Sequence, residues 1–263
     1  MFKSRNHFAT EKRPLEWCIQ SYPTTKTHAK KLITRINRKF ELKHDSKFFE
    51  IGAAQGLILS AITEMGYQCV GIEPCDEAIK ISEEIKKKFG NNFILKKGYA
   101  ENIPYQDDSF SVVIALFVLE HVKDIKKVFN EIFRILIPNG CFYFETISSL
   151  CPRQNEIKGF PFFSWYPDNL KIKIMNWAVK NKPGLVGFTN TPAINWLTPW
   201  KANMLLKQAG FEKIYDRWDL LVDDEFDTSM KHILRLIRST KATKLLADVL
   251  VPDCGYLAIK NSF

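Results

Sequence analysis

The sequence predicts an α/β fold, a mostly parallel sheet with helices on both of its faces. From residue 47 onward, short apolar runs alternate with helix-forming stretches across short joins. Most of those runs are apolar at consecutive positions, as strands buried on both sides require. Glycine, proline and aspartate recur at the period of the alternation, where helix ends and tight turns call for them.

Taken in order, residues 1–15 mix charges of both signs without a continuous apolar segment, so no secretory signal is expected. Residues 24–43 put Ala29, Leu32, Ile33, Ile36 and Phe40 on one stripe of a helix and Lys30, Lys31, Arg35, Arg38 and Lys39 on the other side. Such a basic amphipathic helix suits packing on a sheet flank, and its charged side suits peripheral contact with an anionic surface. Strands are expected at 47–52, 68–73, 93–98, 110–116 and 141–147. Helices fall between them, from about 56 to Gly66, from Asp76 to about Gly90, and from about Asp124 to Ile137. Asp76 and Asp124 are expected as N-caps, and Pro138, Asn139 and Gly140 as a turn.

After Thr146 the composition changes. Residues 148–197 hold Phe160, Phe162, Phe163, Trp165, Tyr166, Trp177, Phe188 and Trp196 among several prolines, with no strand pattern. The alternation resumes with Thr198 and Pro199 opening a helix to Gly210. A strand from 211 to about 220, a helical stretch over about 226–250 and a last strand at 255–261 follow. The organisation is therefore an N-terminal arm with its basic helix (1–46) and one domain (47–263), interrupted at about 150–197 and 222–252.

A chain of 263 residues with 46% hydrophobic content can bury a real core. Its longest apolar run, residues 112–119, is far short of the roughly 20 residues that span a bilayer, so no transmembrane helix is expected and the cytoplasm is the expected compartment. The six cysteines form no C-x-x-C pair, which argues against structural zinc and a disulfide framework, and no metal is expected. The net charge of +9 divides as +8 over 1–47, −4 over 48–150 and +5 over 151–263, which admits an anionic substrate or surface.

The chemistry concentrates where the first strand turns into the first helix. Glu50, Gly52, Ala54 and Gly56 form a turn whose glycines let the backbone approach a ligand closely. Glu73, at the end of the second strand, is placed to accept hydrogen bonds from both hydroxyls of a ribose.

These residues resemble the class I S-adenosylmethionine-dependent methyltransferases, particularly the small-molecule branch that includes ubiquinone and menaquinone biosynthesis enzymes. The resemblance covers residues 47–147 closely and extends over 199–210 and the last two strands. It implies a Rossmann-like, seven-stranded sheet with an antiparallel last strand, and S-adenosyl-L-methionine as cofactor. The family's acidic-x-Gly-x-Gly-x-Gly loop maps onto Glu50, Gly52, Ala54 and Gly56, with Ala54 replacing a glycine. Residues 98–105 are similar to the segment that borders the adenine, with Ala100 and Glu101 in place and Tyr99 where relatives carry an acid. Ser111 likewise stands where an aspartate is common. Leu116 and Phe117 fall where relatives line the methyl-transfer channel, and Leu119-Glu120-His121-Val122 matches the family closely.

His121 is the sequence's candidate for a weak base, since imidazole titrates near neutrality, and capping or packing the following helix is its structural alternative. The aromatic insertion occupies the place of the family's acceptor cap, with Phe162, Phe163, Trp165 and Tyr166 expected nearest the acceptor, although a subdomain core would use the same residues. Lys158, Lys171, Lys173, Lys180 and Lys182 in that segment suit an amphiphilic, acidic acceptor, such as a small molecule or a lipid-linked or glycan intermediate. A nicotinamide-dependent oxidoreductase is disfavoured because the loop lacks G-x-G-x-x-G. No nucleic-acid partner is expected. The chain has neither the acid-Pro-Pro-aromatic run of amino-group DNA methyltransferases nor a Pro-Cys pair after the fourth strand. A cofactor-binding scaffold without catalysis is the non-enzymatic alternative.

Overall fold

The computed structural model describes residues 13–154, 156–186 and 193–261; residues 1–12 of the expected arm and Phe188 of the aromatic segment lie outside the described residues. The described residues contain one seven-stranded sheet in the order β3-β2-β1-β4-β5-β7-β6. Strands β1 (Lys47–Ile51), β2 (Gln68–Glu73), β3 (Ile94–Lys97), β4 (Phe110–Leu116) and β5 (Leu136–Ile147) run parallel. The last strand, β7 (Asp253–Ile259), lies between β5 and β6 (Lys213–Asp216) and is antiparallel to both, as the resemblance implied. Because the chain moves outward from β1 to β2 and β3 and then returns to β4 on the other side, β1 and β4 form the switch point. Ligands of open α/β sheets bind at the strand carboxyl ends there.

Alternate residues of the central strands feed two cores. On one face Phe49, Val113, Phe142 and Phe144 pack against α4 (Ile125–Ile135) and α6 (Pro199–Ala209) through Phe129, Ile132, Leu205 and Leu206. On the other, Phe48, Val112, Ile114 and Tyr143 meet α1 (Leu15–Asn37), α2 (Leu57–Thr63) and α3 (Asp76–Phe89) through Leu32, Ile36, Leu59 and Ile85. Burial on both faces accounts for the consecutive apolar positions that marked these strands in the sequence.

Several boundaries differ from the sequence expectation. The basic helix expected at 24–43 spans Leu15–Asn37, because its buried stripe begins with Cys18 and Tyr22 and the helix continues past Pro23. It ends where the Leu42 amide donates to Asn37 Oδ1 at 3.0 Å. Much of its basic side is engaged within the chain. Arg35 forms a two-pronged pair with Glu225, Lys26 pairs with Glu64 at 2.6 Å, and Arg38 donates to the Leu221 carbonyl. Cys75, not Asp76, holds the N-cap position of α3, and Asp76 sits in the first turn, where a carboxylate complements the helix dipole. The strand expected to reach residue 220 stops at Asp216, whose side chain and Asp219 form a capping box that opens a short helix, α7 (Arg217–Leu220).

The two interruptions fold as satellites. In the first, α5 (Asp168–Asn181), absent from the sequence reading, builds a small core of Ile157, Phe163, Met175, Ala178 and Trp196. The second, the helical stretch expected over about 226–250, consists of two helices, α8 (Thr228–Ser239) and α9 (Lys241–Leu250), divided where Thr240 caps α9. They pack on Trp218 and Leu221 through Leu234 and Ala247. Among the described residues all six cysteines are free, no cluster of potential ligands suits a metal ion, and no helix is long and apolar enough to cross a membrane.

Candidate active site

At the carboxyl end of β1 the chain turns through Gly52 at φ +65° and reaches α2 through Gly56 at φ +74°. A Cβ on Gly52 would lie 2.3 Å from Val118 Cγ2, so glycine here lets the loop close against the segment that follows β4. Ala54 takes φ +49°, in the left-handed region that favours glycine, where the family has one. The β1 loop is held from the next strand. Glu73 at the end of β2 accepts from the Ala54 amide at 2.9 Å through Oε2 and from the Cys75 amide at 3.0 Å through Oε1. A carboxylate offers about four acceptor positions, so fastening this loop and accepting from a ligand diol are compatible.

Glu50 lies beside it, buried, with its Oε2 lacking any hydrogen-bond partner among the described residues. Burial first, and then the negative charge of Glu73, pushes the Glu50 carboxyl up to about 8. A buried carboxylate oxygen without a donor is costly unless something supplies one, and two acids side by side favour a cationic ligand.

The remaining sequence-selected residues arrive on loops at the same edge. Ala100 is buried in the loop after β3 and Tyr99 is exposed; Glu101 Oε1 accepts the Lys123 amide at 2.7 Å, tying that loop to the turn beyond β4. Leu116 ends β4, and Phe117 follows at φ +56°, its amide donating to the Glu145 carbonyl at 2.7 Å. Left-handed backbone at an aromatic residue is strained and is held here by its neighbours. His121 lies in the turn between β4 and α4, its amide donating to the Val118 carbonyl at 3.0 Å. It does not cap the helix: Asp124 does, accepting from the Lys127 amide at 3.0 Å.

The aromatic insertion is fastened to this turn. The Ile194 and Asn195 amides donate to the Glu120 carbonyl at 2.7 and 3.1 Å, and Asn195 Nδ2 donates to the carbonyls of Leu119 and Val122. Its four selected aromatics do not form one surface. Phe162 and Trp165 are exposed and stacked, with ring centroids 5.6 Å apart, and Trp165 Nε1 donates to the Leu150 carbonyl at 2.9 Å. Phe163 is fully buried in the satellite core and Tyr166 packs half-buried against it. Phe163 is therefore a core residue and not an acceptor contact, because a side chain with no exposed surface meets only its own subdomain. Lys171 drops out as a partner for an acidic acceptor for a related reason. It is buried, pairs with Asp168 at 2.7 Å and lies 4.1 Å from the Trp196 ring centroid.

Three buried acids were not among the candidate site residues of the sequence, although Glu120 belongs to the Leu119–Val122 match. Glu120, the residue before His121, accepts from Thr146 Oγ1 at 3.0 Å and is pushed up to about 7 by burial. Glu156 accepts from Trp196 Nε1 at 2.9 Å; burial, and to a lesser degree the charge of Glu120, raises it to about 7 as well. Glu145, near the end of β5, faces α1. Burial opposes its ionisation, yet His28, the Tyr143 hydroxyl at 2.7 Å and the Arg35 guanidinium outweigh burial and hold it well below the usual carboxylate range. His28 Nε2 stands 3.9 Å from Glu145 Oε2, and His28 also lines a surface groove of about 390 Å³ with Pro23, Thr24, Thr27 and Lys31. The signal available in the sequence was a glutamate at the end of an otherwise apolar strand, a place where buried carboxylates need partners.

A family described as "Methyltransferase domain" matches residues 49–144. Demethylmenaquinone methyltransferase of Chlorobaculum parvum is 26% identical over 184 residues, 68% of this chain and 71% of its own length. The uncharacterized methyltransferase YcgJ of Bacillus subtilis is 26% identical over 103 residues, 39% of this chain, and the match spans only 41% of that relative. The crystal structure of YcgJ aligns with 90% of this chain and all of its own at a TM-score of 0.55 and 15% identity, a likeness of fold. Phosphoethanolamine N-methyltransferase 2 of Haemonchus contortus, solved with S-adenosyl-L-methionine, aligns with 95% of this chain and 58% of its own at a TM-score of 0.59 and 14% identity. With the loop, the paired acids and the reversed last strand in place, the chain is similar to class I S-adenosylmethionine-dependent methyltransferases and carries a methyltransferase domain at residues 49–144.

Proposed function

We propose that the chain transfers a methyl group from S-adenosyl-L-methionine to a small-molecule or lipid-linked acceptor by in-line displacement. The observation that carries this reading is the pair Glu50 and Glu73 at the β1–β4 switch point. Glu50 offers an unpartnered, buried carboxylate oxygen to a ligand cation, and Glu73 offers an acceptor to a ribose diol. When bound, the cofactor supplies a methyl group made electrophilic by its sulfonium. The loop 52–56, Ala100, Glu101, Leu116 and Phe117 are the proposed walls of its seat, which orient it and exclude water.

On the acceptor side the proposed contacts are the exposed pair Phe162 and Trp165 and the half-buried Tyr166. His121 is the proposed proton acceptor for an acceptor hydroxyl or amine. Glu145 with His28 is a second polar cluster on the α1 side of the same edge.

Thermal unfolding tests the reading. S-adenosylhomocysteine at a hundred times its dissociation constant stabilises a native-state binder by about 2.7 kcal/mol, which raises the Tm of a chain this size by roughly 5 to 10 °C. That shift is expected with S-adenosylhomocysteine and not with NAD. A shift with NAD alone would overturn the proposal, and cofactor binding without turnover on any acceptor would leave a scaffold.

A further inference from the structure

The α8–α9 hairpin carries two apolar faces where packing needs one. Its inner face, Leu234, Ile237 and Ala247, covers Trp218 and Leu221. Its outer face presents Leu236, Leu246 and Leu250 at 64%, 68% and 76% exposure, with Ile233 and Leu245 also exposed beside them. Single exposed leucines are ordinary, but five large aliphatic side chains on two successive short helices form a patch that calls for an occupant.

The charges around the patch indicate which one. Residues 228–250 hold five lysines and arginines against one acid, Asp248. Arg238 and Lys244 are held inside by Asp223, Asp216 and Asp219, and Asp248 accepts from Trp218 Nε1. Arg235 and Lys241 stay exposed beside the leucines, together with His232. An apolar face bordered by cations is the pattern that inserts shallowly into a bilayer with anionic headgroups. The place is also suitable. β6 ends at Asp216 and β7 begins at Asp253, opposite Ile147 at the carboxyl end of β5, so the hairpin leaves the sheet at the edge that carries Glu50 and Glu73.

We infer that α8 and α9 dock the protein on an anionic membrane surface through Leu236, Leu246 and Leu250, with Arg235 and Lys241 on the headgroups. This surface is distinct from residues 24–43, where Arg35 and Arg38 already hold partners within the chain. The docking itself is independent of methyl transfer. Its consequence, an acceptor presented from the bilayer, rests on the proposed function.

Co-sedimentation of the full chain with vesicles of phosphatidylglycerol and phosphatidylcholine, against phosphatidylcholine alone, tests the inference. Binding is expected to the anionic vesicles and to weaken as salt rises. The variant carrying Leu236→Ser, Leu246→Ser and Leu250→Ser should lose at least about tenfold in partition, since shallow insertion is driven by burial of apolar area, and should keep its affinity for S-adenosylhomocysteine. Because a triple variant could misfold, Arg235→Glu with Lys241→Glu serves as a second probe and should abolish the preference for anionic lipid. Absence of vesicle binding by the wild type would overturn the inference. So would light scattering that shows a stable dimer which the leucine variant converts to monomer, because a second copy would then cover the patch. Loss of S-adenosylhomocysteine binding with vesicle binding intact would defeat the methyl-transfer reading alone.

Discussion

Glu50 and Glu73 lie at the carboxyl ends of neighbouring strands, and burial together with the charge of Glu73 makes Glu50 harder to ionise. With its carboxyl raised from 4.5 to about 8, Glu50 contributes stability that is fully present below pH 4.5 and is lost as pH rises through 8. A bound cation reverses the preference by favouring the carboxylate. Affinity for S-adenosylmethionine is therefore expected to rise between pH 6 and 8 with release of a proton, and Glu50→Gln should flatten that dependence. Calorimetry in two buffers of different ionisation enthalpy measures both effects, and a wild-type profile as flat as the variant's would remove Glu50 from the site. Glu73→Ala should cost roughly 1.5 to 3 kcal/mol of cofactor binding, the range for hydrogen bonds to charged groups, or about ten- to a hundredfold in Kd. Because Glu73 also holds the Ala54 and Cys75 amides, the variant should exchange those two amides faster even without ligand. An unchanged Kd in a folded variant would exclude it.

Among the elements, the aromatic insertion divides into a core and a surface, and substitution separates them. Trp196 is buried, with its Nε1 on Glu156, so Trp196→Ala should destabilise the protein by about 3 to 5 kcal/mol. Trp165 is exposed beside Phe162. Trp165→Ala should leave the denaturation midpoint and S-adenosylhomocysteine affinity nearly unchanged while lowering kcat/KM for the acceptor. If Trp165→Ala unfolds the insertion, the pair belongs to the core. The sequence could not separate these roles, because Phe162 and Phe163 are adjacent and one turn of backbone sends one outward and the other inward. It was clearer for β1, β2 and β4, where consecutive apolar residues and a following glycine or acid left one arrangement. The bounds of α1 and the division between α8 and α9 were not legible. They depend on side-chain caps such as Thr240 and on a helix that continues past Pro23, which periodicity alone does not show.

At the scale of the whole molecule, loops from β1, β2, β3 and β4 meet at one edge, while the two satellites leave the sheet at the carboxyl end of β5 and around α7. The sequence located the Glu50, Gly52, Gly56 and Glu73 constellation because those residues are close along two successive strand ends. It missed Glu145 and His28 because they are far apart in sequence and meet only when α1 folds across β5. One measurement addresses the seat directly: hydrogen–deuterium exchange of the full chain with and without S-adenosylhomocysteine. Protection is expected at 50–56, 73–75, 98–101 and 116–121, with the α8–α9 hairpin unaffected. Protection confined to other segments, or none at a saturating concentration, would contradict a cofactor seat at the β1–β4 switch point.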